Sequence, residues 1–213
     1  IKNPMRVIDR PTKVKKESHY YNAEQLNTLA NAAKGSYIET PVILAMVLGL
    51  RRSEIVGITW DNVDFENRLL HINQSVIVGD SSILPHGTYK VIGHTNSRKP
   101  KDIILKYFLK TESSERSFTM NDALYSYLKA LKAEQDNMIR ETNEYRDFLC
   151  VNPVGALITP DSITHYFIKL LDENELPHIR FHELRHSCIS LLANNTAFSV
   201  KQVQDYAGHS DFL

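Results

Sequence analysis

No stretch of this sequence stays apolar for long enough to cross a bilayer. The longest run, Pro41 to Leu50, falls well short of the ~20 residues a spanning helix needs. No signal-peptide pattern opens the chain either. Cysteine is scarce: Cys150 and Cys188 lie far apart and form no metal-binding pair. They read as reduced, mostly buried thiols of a cytosolic protein. In that setting the Asn-x-Ser/Thr matches at Asn73 and Asn194 carry no weight. Internal repeats and low-complexity tracts are absent. Net charge is absent too, with 25 Lys+Arg against 25 Asp+Glu, which argues weakly against a nucleic-acid partner. The distribution is less even than the sum. Residues 1–110 hold 16 Lys+Arg and 10 Asp+Glu, whereas residues 111–213 hold 9 and 15. A chain polarised in this way can present a basic face to phosphate.

What is present suits one sizeable domain, or one domain with a short appendage, since 42% of the 213 residues are hydrophobic. The chain begins with Ile1 rather than Met, so a fragment of something longer is expected. Residues 1–20 read as a tether, punctuated by Pro4 and Pro11 and made basic by Lys13, Lys15 and Lys16. Asn22 with Gln25 predicts a capped helix carrying Leu26, Leu29, Ala30 and Ala33 and stopping at Gly35. Ile38 to Leu50 is apolar nearly all round and predicts a buried helix ended by Gly49. A short helix is expected from Ser53 toward Trp60.

Residues 69–120 change character. Leu69 to Val78, Thr88 to Ile92, Ile103 to Leu109 and Ser117 to Met120 predict strands of one antiparallel sheet with long hairpin loops. A polar, basic stretch, His94 to Lys101, lies between them. Helices return after Asn121, after Thr159-Pro160, from His182 to Ala193, and from Ser199 to Ala207, with a short buried strand or turn over Asp147 to Val151. The fold class expected is α+β and mostly α-helical, with a small antiparallel β-sheet and hairpin insertion in the first half.

Three islands carry chemistry. Gly49-Leu50-Arg51-Arg52-Ser53-Glu54 sets an arginine at a helix junction behind an apolar helix, where a guanidinium can point into a cleft. Read alone, it is also an ordinary surface arginine pair. Lys110-Thr111-Glu112-Ser113-Ser114-Glu115-Arg116 lies between two strand-like runs, as a hairpin tip would. His182-Glu183-Leu184-Arg185-His186 is followed by Gly208-His209-Ser210. The His-Glu-x-x-His spacing also fits a zinc-protease helix, with two histidines one turn apart and a glutamate base. That reading needs a third ligand, and no Gly-x-x-His extension follows.

Taken together, the islands resemble the tyrosine recombinase, or phage integrase, family from near Pro4 to Leu213. The long sheet insertion is similar to that of conjugative-transposon integrases. The family's first arginine box corresponds to Gly49 through Glu54, its Lys-Thr-x-x-Ser-x-Arg motif to Lys110 through Arg116, its His-x-x-Arg-His box to His182 through His186, and its Gly-His box to Gly208-His209. The resemblance implies site-specific DNA recombination, the integration or excision of a mobile element through a 3′-phosphotyrosyl intermediate, with no cofactor and no metal. It implies catalytic roles for Arg51, Lys110, His182, Arg185 and His209, with Glu54 and His186 in support. Lys99 and Lys101 are rival lysines but lack the Thr and Ser-x-Arg context of Lys110.

The resemblance further implies that residues 1–20 are a linker from an N-terminal core-binding domain and residues 21–213 the catalytic domain. The nucleophilic tyrosine is expected beyond Leu213, so the chain alone would be inactive. Tyr206 precedes His209 and shares an apolar face with Val200 and Val203, so it is expected to pack in the core. Lys13, Lys15, Lys16, Arg52, Arg98, Lys99 and Lys101 are candidates for the DNA backbone. The expected partners are double-stranded DNA and further copies of the chain, as a tetramer on paired sites. No membrane is implied, and the location expected is cytoplasmic. Two alternatives stand beside this reading: a DNA-binding relative without catalysis, and a zinc hydrolase built on His182 and His186.

Overall fold

Asn22 accepts from the backbone N–H of Gln25 (2.9 Å), and Gln25 accepts from that of Asn22 (3.0 Å). This reciprocal cap starts helix α1, Ala23–Ala33. Gly35, just past its end, adopts φ +74°. Helix α2, Glu39–Leu48, buries Val42, Leu44, Ala45 and Leu48 and ends at Gly49 in the left-handed conformation. Helix α3 is short, Arg52–Gly57. In this computed structural model the described residues are 20–107, 115–138, 145–195, 197 and 199–207. Among them no helix is long and apolar enough to cross a membrane.

Among the described residues six strands follow: β1, Val63–Asp64; β2, Leu69–Ile72; β3, Ser75–Gly79; β4, Tyr89–His94; β5, Asp102–Lys106; and β6, Arg116–Thr119. They form two antiparallel three-stranded sheets, ordered β1-β2-β6 and β3-β5-β4. One expectation is corrected here. Leu69 to Val78 is not one strand in one sheet. The chain breaks at Asn73-Gln74, and the two halves join different sheets. Side chains pin the break: Gln74 donates from Nε2 to the Gly57 carbonyl (2.7 Å), and Asn73 accepts from Asn62 (3.0 Å). Gly57 is obligatory at this crossing, because a Cβ there would lie 2.7 Å from the Ser75 Cα.

The remaining helices are α4, Asp122–Asp136; α5, Pro160–Glu173; α6, Phe181–Ala193; and α7, Val200–Ala207. The caps of α4, α5 and α7 match the sequence reading. Asn121 accepts from Leu124 N–H, Thr159 from Ser162 N–H and Ser199 from Gln202 N–H. Phe148 and Val151 make isolated bridges, to Thr59 and Leu157 respectively. A single main core joins helices and sheets, from Leu29 and Leu44 through Ile55, Leu70 and Ile72 to Phe167 and Leu184. The fold is mixed α+β, dominated by helices. Helix α6 packs against α2, and that contact brings the first and third sequence islands together.

Candidate active site

Gly49 sits at φ +60°, a conformation that costs most side chains strain. Its turn ends α2 and aims Arg51 away from the core while Leu50 stays buried. Arg51 is the residue that leads into α3, and Glu54 folds back onto it. Glu54 accepts from the Arg51 backbone N–H with Oε2 (2.9 Å) and from the Arg51 Nη1 with Oε1 (2.6 Å).

Arg116, the first residue of β6, closes on the same carboxylate, with Nη2 to Oε2 at 3.0 Å and Nη1 to Oε1 at 3.3 Å. Glu54 thus bridges two guanidinium groups with only 2% of its side chain exposed; Arg116 is 8% exposed and Arg51 34%. Burial works against the Glu54 charge, but the hydrogen bond and charge of Arg116, joined by Arg51, outweigh it. The carboxyl is held below its ordinary range. In the sequence Arg116 stands only as the end of the Lys110 motif, with no role of its own. The signal available was a strand-initiating arginine at fixed spacing from a catalytic candidate.

Arg185 enters from α6 with 1% exposure and donates from Nη1 to the Gly49 carbonyl. Burial, then repulsion from Arg51, with Arg116 adding to it against the pull of Glu54, pushes its pKa down to about 10. It therefore remains a cation at neutral pH. His182 lies one turn before His186 on α6, with the rings edge to face at 4.9 Å between centroids. Partial desolvation pushes His182 down to about 4, assisted by His186, Arg185 and Arg51. The residue keeps part of its surface in solvent, so a partly desolvated neutral imidazole stands at the edge of a group of cations.

Four expected residues thus come together: Arg51, Glu54, Arg185 and His182, with His186 against the last. Lys110 and His209 lie outside the described residues, as do Lys13, Lys15 and Lys16. The strands flanking Lys110 correct the hairpin expectation. β5 pairs with β3 and β4, and β6 with β2, so β5 and β6 do not pair with each other. Arg98, Lys99 and Lys101 are exposed on the turn between β4 and β5, not on the elements that carry the arginines. Arg52 is turned inward to α5, where its Nη1 donates to the Pro160 carbonyl (3.1 Å) and to Thr164 Oγ1.

Glu183, the base of the zinc alternative, is buried and engaged with Arg180, whose Nη2 lies 3.0 Å from its Oε1. Among the described residues no group of three or more His, Cys, Asp or Glu is placed to hold a metal ion. Tyr206 packs edge to face on Phe118 (4.8 Å between centroids) and donates to the Val47 carbonyl (2.7 Å). Burial raises its pKa above that of a free phenol, as suits a packing residue.

Comparison with known proteins covers the same span. The profile of the phage integrase family matches residues 20–212. A tyrosine recombinase XerC-like protein of Caldanaerobacter subterraneus subsp. tengcongensis is 23% identical over 205 residues, which are 93% of this chain and 49% of that protein. The transposase from transposon Tn916 of Enterococcus faecalis is 28% identical over 180 residues, 80% of this chain and 38% of that protein. The chain therefore spans half or less of these curated relatives. Among solved structures, a Tn1549 transposon integrase in complex with circular intermediate DNA superposes with a TM-score of 0.70 at 19% identity, covering 94% of this chain and 61% of that one. XerA recombinase gives a TM-score of 0.64 at 14% identity, covering 95% of this chain and 58% of that one.

Proposed function

The chain belongs to the phage integrase family, and from that premise we propose that it is the catalytic part of a tyrosine recombinase that integrates or excises a mobile element. The observation that carries this reading is the cluster in which Arg51, braced by Glu54, and Arg185, tied to the Gly49 carbonyl at the same turn, come together from separate islands beside His182. Planar, permanently charged forks of this kind suit a phosphodiester whose non-bridging oxygens gain charge during displacement.

In the proposed reaction a tyrosine oxygen attacks the scissile phosphorus and the bond to the 5′-oxygen breaks. Arg51 and Arg185 hold the non-bridging oxygens, and His209 donates to one of them. His182, neutral before DNA arrives, orients the phosphate or takes the tyrosine proton; the charge of the bound phosphate raises its basicity toward the useful range. Lys110 gives a proton to the departing 5′-oxygen. The product is a 3′-phosphotyrosyl ester and a 5′-hydroxyl. A 5′-hydroxyl from a partner strand reverses the step, and because the ester conserves the phosphodiester energy no nucleotide cofactor is consumed.

Residues 1–20 then link to an N-terminal DNA-binding domain, and residues 21–213 form the catalytic domain, with the attacking tyrosine on a segment past Gly208-His209. The partner is duplex DNA, and the working assembly is a tetramer on paired sites. Support comes from the Tn1549 integrase bound to circular intermediate DNA and from a lambda integrase tetramer bound to a Holliday junction, the latter with a TM-score of 0.56. A DNA substrate and buried reduced thiols fit a cytoplasmic location.

The test uses a chain extended past Leu213, incubated with nicked duplex carrying its recombination site and run on a denaturing gel. A strand linked to protein through its 3′-phosphate is expected. Absence of any linked strand on the cognate site contradicts the proposal.

A further inference from the structure

We propose that Arg116 is a positioning residue that keeps the phosphate site cationic by offsetting the charge of Glu54. The inference rests on the recombinase reading above. Glu54 is needed where it is, because it holds both the backbone and the guanidinium of Arg51. A lone carboxylate 2.6 Å from that guanidinium would also cancel much of the charge that Arg51 brings to a phosphate.

Arg116 resolves the conflict. Its fork meets both Glu54 oxygens in a pair that is almost wholly buried, so solvent screens it little. Arg51, Arg116 and Arg185 against Glu54 leave two positive charges in excess, which suits a displacement that concentrates negative charge on the phosphoryl oxygens. The same field is felt at Arg185, whose proton is loosened first by burial and then by Arg51 and Arg116, and held by Glu54. Phe118, two residues on in β6, lies 5.3 Å from the Arg116 guanidinium and fixes it from the side. Arg116 itself need not touch DNA. Its charge acts through Glu54 and across the low-dielectric cluster.

The experiment compares Arg116→Met and Arg116→Lys with the parent in the extended chain. Each is assayed for DNA affinity and for single-turnover cleavage at saturating DNA. One substrate is ordinary; the other carries a methylphosphonate at the scissile position, which removes one negative charge. Arg116→Met is expected to bind DNA within a few-fold of the parent but to cleave ordinary DNA slower by on the order of 100-fold, the scale of one lost electrostatic contact. Methylphosphonate is expected to recover most of that loss, and Arg116→Lys to recover part of it on ordinary DNA. Unchanged cleavage by Arg116→Met overturns the inference. So does a loss that methylphosphonate leaves intact, because a merely structural defect is indifferent to substrate charge.

Should Arg116→Met fail to fold, Glu54→Gln with Arg116→Met takes its place, since it removes both buried charges and leaves the excess at two. Its remaining defect, from loss of the Arg51 brace, is expected to be no better on methylphosphonate than on ordinary DNA. Relief by methylphosphonate there overturns the inference. If the parent itself forms no adduct on ordinary DNA, the recombinase reading fails and the inference falls with it, which separates that failure from the variant outcomes.

Discussion

Arg185 donates to the carbonyl oxygen of Gly49, a residue 136 positions earlier in the chain. This bond ties α6 to the turn that launches Arg51, so the two arginines share one anchor. The left-handed backbone of Gly49 is what aims that carbonyl.

Gly49→Ala tests the anchor. A Cβ would meet nothing closer than Cys188 Sγ at 3.6 Å, so the cost is conformational rather than steric. The variant is expected to lose about 1 kcal/mol in chemical denaturation, the usual cost of a left-handed residue with a side chain. Cleavage in the extended chain should fall more steeply than stability. Equal stability for both proteins would remove the backbone argument.

Glu54→Gln removes the anion between two cations. Breaking such a buried pair typically costs roughly 3–5 kcal/mol, and urea denaturation at neutral pH should show a loss of that order. The acid behaviour should change as well. Because the Glu54 pKa is lowered in the folded state, its stabilisation is complete above the unfolded value and is lost as pH falls through the folded one. That share of acid destabilisation should vanish in Glu54→Gln, and an identical acid profile contradicts the pairing.

His182 is pushed down to about 4 by desolvation and neighbouring cations. Relative to an unfolded histidine it disfavours protonation, so its contribution to stability is present above the ordinary histidine range and lost as pH falls toward the folded value. Imidazole proton shifts followed by NMR in the DNA-free protein should show His182 still neutral at pH 5.5. Titration at the ordinary histidine pKa would contradict both the desolvation of the ring and the reach of the cation cluster.

How much of this was legible in the sequence differs by element. The capped helices were readable because Asn22, Asn121 and Thr159 announce their own starts. Arg51, Arg185 and His182 could be singled out as candidates because their boxes keep fixed local spacing. The split of the Leu69–Val78 run was not, since what breaks it is a pair of side chains, Asn73 and Gln74, reaching back to Asn62 and Gly57. The pairing of Arg116 was hidden for the same reason: its partner Glu54 lies 62 positions away. Arg52 read as a surface cation, yet α5 supplies acceptors that no local pattern reveals.

Tyr206 offers a control for the nucleophile. Its hydroxyl bonds to the Val47 carbonyl, and its ring packs on Phe118. Tyr206→Phe should cost about 1 kcal/mol, the net worth of one hydrogen bond. In the extended chain it should leave the covalent adduct in place. Loss of the adduct with stability intact would move the attacking oxygen to Tyr206.

The most direct measurement of the central claim is covalent adduct formation by Arg51→Ala in the extended chain, with DNA binding measured alongside. Arg51 is assigned to the displacement itself more than to affinity, so the account predicts near-normal binding and an adduct reduced by at least ~100-fold, as for a lost transition-state donor. Near-normal adduct formation by Arg51→Ala contradicts it.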